Sequence, residues 1–213
     1  MSIEASNVLP EAIADRLRAS IIAQQDAPGS TITESAVAVR FGVARPTARI
    51  AIERLVADGL LRREAHRAAR VPLLSRDDIA DLYDNRAIIE GAASESLATA
   101  GAIPAEALAA HRALVGTEQF ARHDIAFHRA LVSGQSSPRL TRMHELLMGE
   151  VELGIGQVQA AQLITATEVA RQHQGILDAI LAGDSLLAGR LAREHIAGAR
   201  DRLLERWDRE HGA

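Results

Sequence analysis

The sequence predicts a mainly α protein, with an N-terminal winged helix-turn-helix followed by a C-terminal antiparallel all-helical bundle of about six helices. Three observations carry that expectation. Apolar residues recur at the three- and four-residue spacing of amphipathic helices in successive segments from Ile13 to Leu203. Aromatic residues make up only 2% of a chain that is 47% hydrophobic, so the core must be built from Ala, Leu, Ile and Val, which suits helices. Near the N-terminus, two short helical patterns meet at Gly42 and are followed by two short apolar runs, the arrangement of a helix-turn-helix with a wing.

The first helix is expected to start near Pro10, which suits a first helical turn, and to run through Ile13, Leu17 and Ile21 to about Gln25. Pro28 and Gly29 make a turn. Thr33 is a natural N-cap for a short helix through Ala36, Val37 and Phe41 that stops at Gly42. The next helix has Pro46 near its start, takes Ile50, Ile52, Leu55 and Val56 as its apolar face, and closes at Gly59. It is the predicted recognition helix, with Arg45 and Arg49 near its N-terminal end, where base edges and phosphates are reached. Leu60–Arg63 and Ala69–Val71 read as two strands around a loop at 64–68, the wing.

A brief linker at Val71–Leu73 leads to a long helix from about Arg76 to Ala100, with Ile79, Leu82, Tyr83, Ala93 and Leu97 inward. Further helices are expected at 104–115, from Phe120 to Val132, and at 139–159, 165–182 and 185–208. The expected division is therefore a winged helix-turn-helix domain at 1–74 and a helical domain at 76–213. Gly149, Gly154 and Gly156 interrupt the helix at 139–159, where they serve close packing or flexibility; each weakens a helix by up to about 1 kcal/mol relative to Ala.

Charge is unevenly spread. The chain carries a net charge of −4, yet residues 40–70 hold eight Arg against three acids, a local excess that favours nucleic-acid contact there over general polyanion binding. With no cysteine, disulfides and thiolate metal sites are excluded. No basic and apolar leader and no uninterrupted apolar run of about 18 residues is visible, so a cytoplasmic location without membrane contact is expected.

The candidate site lies in the bundle. On a helical wheel, Asp124 and His128 fall within the apolar arc of Phe120, Phe127 and Leu131. His173 lies among Val169, Ile176, Leu177 and Ile180, and His195 among Leu187, Ala188, Leu191, Ala199 and Leu203. An isolated i,i+4 pair is usually a surface pair, and a lone inward His is usually a hydrogen-bonded core residue. Three helices aiming polar atoms at one core point instead to a shared divalent metal ion, since each buried polar group would otherwise cost several kcal/mol. Nitrogen and oxygen ligands of this kind accept Zn, Ni, Mn or Fe. Arg86 and Glu90, four residues apart, also face inward, either as a satisfied core pair or with Arg86 available to a carboxylate.

The stretch ITESAVAVRFGVARPTARIAIERLVADGLL resembles the winged helix of GntR-type bacterial transcription regulators. Asp124-x3-His128, His173 and His195, together with LYDNRAIIE at 82–90, are similar to the FCD ligand-binding domain of the FadR branch. The resemblance spans nearly the whole chain. It implies that the Asp and three His bind a divalent metal ion, that a small organic acid occupies the cavity and meets Arg86, and that Glu34, Arg45, Thr47, Arg49 and Arg67 belong to the DNA-binding face. Three departures stand out: Ala44 replaces a capping Ser, Ala68 replaces the glycine at the wing tip, and PTARIAI replaces the usual TPVREAL. Ala98–Phe120 is short, which favours six helices or a further trimmed bundle.

Taken together, the residues and the resemblance lead to the expectation of a ligand-responsive regulator, a repressor by analogy, acting as a homodimer on a palindromic operator; no enzyme activity is expected. The alternatives are a metal-dependent enzyme with an accessory DNA-binding domain, and a DNA binder whose metal is purely structural.

Overall fold

The structure, a computed structural model, describes residues 4–65, 67–117 and 119–212. Among them are α1 (Glu4–Ile22), β1 (Thr31–Ile32), α2 (Glu34–Phe41), α3 (Arg45–Ala57), β2 (Ala69–Arg70), α4 (Arg76–Ala100), α5 (Ala105–Leu114), α6 (Ala121–Gly134), α7 (Pro138–Ala160), α8 (Ala166–Leu181) and α9 (Ser185–His211). The mainly α class and the six helices after the wing are as expected. No described helix is long and apolar enough to cross a membrane. The chain forms two compact units. One comprises the described residues through Leu73 together with Met148–Gly156; the other comprises Leu74–Leu147 and the residues from Gln157 onward. The expected division had placed all of α7 in the second.

In the first unit, α1 begins at Glu4, so Pro10 lies inside the helix and not at its first turn. Ile13, Ala14, Leu17 and Ile21 are buried in one core with Val37, Ala48, Ala51, Ile52 and Leu55. Thr33 caps α2, its hydroxyl accepting the Ala36 N–H at 3.1 Å, and Gly42 ends the helix with φ of 66°, which a glycine adopts without strain. The inner face of α3 differs from expectation: Ile50 is exposed, whereas Ala48 and Ala51 are buried with Ile52 and Leu55. Residues two apart on a helix point in nearly opposite directions, so Ile50 and Ile52 cannot share a face.

The wing is also built differently. β2 pairs antiparallel with β1, a strand lying before α2, with Thr31 opposite Arg70 and Ile32 opposite Ala69. Leu60–Arg63 supplies only one bridge, in which Arg62 and Arg70 exchange hydrogen bonds of 2.9 and 2.8 Å. Leu60 and Leu61 are both buried and both donate their N–H to the Leu55 carbonyl at the end of α3, so they finish a helix and do not alternate as a strand would. Residue 66 of the loop at 64–68 lies outside the described residues.

The α7 segment Met148–Gly156 adds Leu153 to this core. Gly149 and Gly156 serve close packing: a Cβ on Gly149 would lie 2.2 Å from the Asp58 carbonyl oxygen, and one on Gly156 would lie 2.3 Å from that of Ile22. Glu152, almost fully buried, pairs with Arg18 at 2.6 Å, and Arg18 also bonds Asp58.

In the second unit, Ser75 and Asp78 form a reciprocal capping box at the start of α4. α4 packs along α9, α5 against α6, and α8 against α9. Thr165 and Asp184 cap α8 and α9, accepting the N–H of Glu168 and of Leu187.

Candidate metal centre

Three helices of the second unit converge on one point. Asp124 and His128 from α6, His173 from α8 and His195 from α9 each offer a ligand atom, and these atoms lie within 4.8 Å of one another. Asp124, His128 and His173 are buried and His195 is partly buried. The Phe127 ring stacks on His173 at 3.8 Å between centroids and meets His128 edge-on at 5.4 Å, giving the cluster one apolar wall.

The polar atoms do not satisfy one another. Asp124 Oδ1 is 3.1 Å from His173 Nε2 and 3.5 Å from His128 Nε2. Yet Asp124 Oδ1 and both ring nitrogens of His173 are buried without a hydrogen bond of ordinary geometry. His128 Nε2 and His195 Nε2 stand 3.1 Å apart. The other nitrogen of each ring faces an acceptor: His128 Nδ1 lies 2.5 Å from a Glu90 carboxylate oxygen, and His195 Nδ1 lies 2.7 Å from the Gln172 amide oxygen. Gln172 is oriented by Glu168, which accepts from its amide nitrogen at 2.8 Å, so the oxygen is the end left for His195. With protons on both Nδ1 atoms, two Nε2 lone pairs point at each other, an arrangement relieved by a cation or an extra proton between them, or by moving one ring's proton to Nε2 at the cost of its Nδ1 bond.

Protonation equilibria follow the same geometry. Burial, then the imidazoles of His173 and His128, push His195 well below its ordinary range. Burial takes His173 down to about 4, against the pull of Asp124. Burial alone would lift the Asp124 carboxyl, but His128 and His173 hold it well below the usual carboxylate range. Three imidazole nitrogens and one carboxylate, converging on one point, are a donor set that fits a divalent transition metal.

Arg86 lies on α4 and is 1% exposed. Its Nε donates to Glu90 Oε1 at 2.7 Å, so the core pair forms, while its Nη2 is buried without an aligned partner. The hydroxyl of Tyr83, one turn earlier, is likewise buried and unaligned, and burial pushes its pKa up to about 12. Sequence reasoning paired Glu90 with Arg86 but missed its bonds to His128 and to His144, whose Nε2 lies 3.0 Å from Glu90 Oε1. One signal existed: His144 is four residues from both Leu140 and Met148. Gln172, uncharged and between Arg171 and His173, gave none.

The remaining predicted site residues lie in the first unit. Arg45 and Arg49 are exposed in the first turns of α3, with Thr47 half-buried between them. Arg49 Nε donates to Glu53 at 2.7 Å. Ala44 leaves α3 without a side-chain cap. Glu34 opens α2, 3.9 Å from Arg63, and Arg67 sits exposed beside Glu64.

Residues 81–198 match the FCD domain, and residues 9–71 match the gntR family of bacterial regulatory proteins. The chain belongs to the GntR family. This GntR regulator is 30% identical over 202 residues to the HTH-type transcriptional regulator BphR of Paraburkholderia xenovorans (strain LB400), covering 88% of its own length and 82% of the relative. It is 29% identical over 184 residues to the probable D-xylose utilization operon transcriptional repressor of Paenarthrobacter nicotinovorans, covering 83% and 80%. Among solved structures, a GntR-type transcriptional regulator from Rhodococcus sp. RHA1 superposes with a TM-score of 0.76 at 26% identity, covering 92% of this chain and 97% of that one. This GntR protein is accordingly a DNA-binding transcription regulator of the FCD type.

Proposed function

We propose that this regulator binds a divalent metal ion through Asp124, His128, His173 and His195 and uses the centre to sense a small organic acid that changes its grip on operator DNA. The observation that carries the reading is the convergence of four ligand atoms from three helices within 4.8 Å of one another, with Asp124 Oδ1 and His173 Nε2 buried and without an aligned partner. Bound there, a divalent ion supplies a Lewis-acidic centre with a net charge of about +1, able to take carboxylate oxygens. Arg86 supplies the second contact: its free Nη2 and planar fork suit a carboxylate, and the Tyr83 hydroxyl beside it is a further unsatisfied donor.

In the first unit, Arg45 and Arg49 read or hold DNA from the start of α3, with Glu34, Thr47 and Arg67 around them. A homodimer on a palindromic site follows from the small number of base pairs that one winged helix covers. Repression is the mode favoured by the relative named as a repressor. The acid changes operator affinity only as far as it binds one state of the dimer better than the other.

The test is metal analysis of the purified protein, followed by titration of zinc-loaded protein with small mono- and dicarboxylates while operator binding is followed by fluorescence anisotropy. Absence of stoichiometric metal, or operator affinity insensitive to every acid, would refute the corresponding half of the reading.

A further inference from the structure

We infer that Glu90 is the positioning residue of the metal centre: its carboxylate fixes the His128 imidazole with the proton on Nδ1 and Nε2 free to ligate, while anchoring Arg86 and His144 on the same group. The inference rests on the metal-binding reading above. Glu90 sits on α4, is 1% exposed, and contributes no ligand atom to the cluster of four. Its two oxygens divide the work. Oε1 accepts from Arg86 Nε at 2.7 Å and from His144 Nε2 at 3.0 Å, and Oε2 accepts from His128 Nδ1 at 2.5 Å. Residues of α4, α6 and α7 are thus tied to one carboxylate.

The three imidazoles of the centre are unequally supported. His128 leans on a carboxylate, His195 on the neutral amide of Gln172, and His173 Nδ1 has no aligned partner among the described residues. An ionised partner makes the ring a stronger donor to a cation and locks its orientation, so His128 should be the best-prepared ligand of the three and Glu90 the group on which its affinity depends. An amide cannot replace this carboxylate. Gln at position 90 presents one acceptor and one donor end, whereas the surroundings demand acceptors at both: Arg86 and His144 on one side, His128 on the other.

The experiment compares full-length wild type and Glu90→Gln by calorimetric titration with Zn²⁺, with circular dichroism as a check on folding. It also follows the His128 ring protons of ¹⁵N-labelled, zinc-loaded protein by NMR. Glu90→Gln should keep its helical spectrum and bind zinc about 10- to 100-fold more weakly. In wild type, the His128 Nδ1 proton should be a slowly exchanging, downfield resonance, and the variant should lose it. Zinc affinity in Glu90→Gln within about twofold of wild type, well short of the loss that removal of such a partner normally brings, overturns the inference. So does a zinc-loaded wild type without a protected His128 Nδ1 proton, a result that needs no variant to fold. If wild type itself takes up no zinc, the metal-binding reading falls and this inference with it. That outcome is distinct from equal binding by both proteins.

Discussion

The same substitution, Gly to Ala within a helix, should have opposite effects at two positions of this chain. At Gly175 in α8 an added Cβ would meet only Leu191 Cδ1, at 3.7 Å, an ordinary contact. The gain in helix propensity and the smaller unfolded-state entropy then act alone, and Gly175→Ala should stabilise by about 0.5–1 kcal/mol. At Gly149 in α7 the Cβ would lie 2.2 Å from the Asp58 carbonyl oxygen, 2.3 Å from the carbonyl carbon of Gly59 and 2.5 Å from the Leu60 nitrogen. All three are backbone atoms. They are held by bonds from Asp58 N–H to Arg54 and from Leu60 N–H to Leu55, so no side chain can swing aside. Backbone must move by roughly 1 Å in a close-packed region. Overpacking costs about 1–3 kcal/mol, and with three backbone contacts at once the upper part of that range, about 2–3 kcal/mol, applies; subtracting a propensity gain of about 1 kcal/mol leaves a net loss of about 1–2 kcal/mol. For a chain of this size each kcal/mol moves the melting temperature by about 2–4 °C. Thermal melting followed by circular dichroism should therefore place the two variants on opposite sides of wild type, with hydrogen exchange locating the Gly149→Ala loss at the end of α3. A Gly149→Ala protein as stable as Gly175→Ala would refute the close-approach argument.

The other predictions concern function. Arg45→Ala and Arg49→Ala should each weaken operator binding by about ten- to a hundredfold if they contact bases, and Arg67→Ala by less; unchanged anisotropy titrations for both α3 variants would remove the recognition-helix assignment. His173→Ala or His195→Ala should lower bound zinc and melting temperature, and a chelator should reproduce that loss in wild type while adding little to the variants; full zinc content in either would return these residues to the role of ordinary core histidines. Arg86→Ala unpairs the buried Glu90 carboxylate and should weaken zinc binding somewhat, but once saturated with zinc it should keep operator affinity and lose the response to acid, and a preserved response would place the effector elsewhere. Gln172→Leu should weaken zinc binding less than Glu90→Gln, because a neutral amide supports His195 where an ionised group supports His128; the reverse order in paired calorimetric titrations would contradict that ranking.

Much of this architecture is written locally. Helices with long apolar stripes, such as α4 and α8, and caps such as Thr33, depend on residues three or four apart, and periodicity reveals them. The wing depends on remote pairing: β1 is two residues long, too short for any alternation, and its partner lies beyond α2 and α3. Leu60 and Leu61 imitated a strand because burial of consecutive residues looks alike in a buried strand and at a helix end. The metal candidates were legible because each interrupts an apolar arc on its own helix. Glu90's bonds to His128 and His144 were not, since they depend on which helices are neighbours, and helical spacing within one segment carries no information about that.

The segment Met148–Gly156 has a practical consequence for anyone treating the N-terminal part as a portable module. A fragment ending near Leu73 would leave Arg18 without Glu152 and would open a gap where Leu153 fills the core. Such a fragment should be prone to aggregate or to melt early, and a chimera joined at the linker would inherit the same defect unless its new partner supplied an equivalent glycine-bearing helix. Substitutions on the inner surface of α1 and on that stretch of α7 should therefore compensate one another, although more than a hundred positions separate Arg18 from Glu152 along the chain.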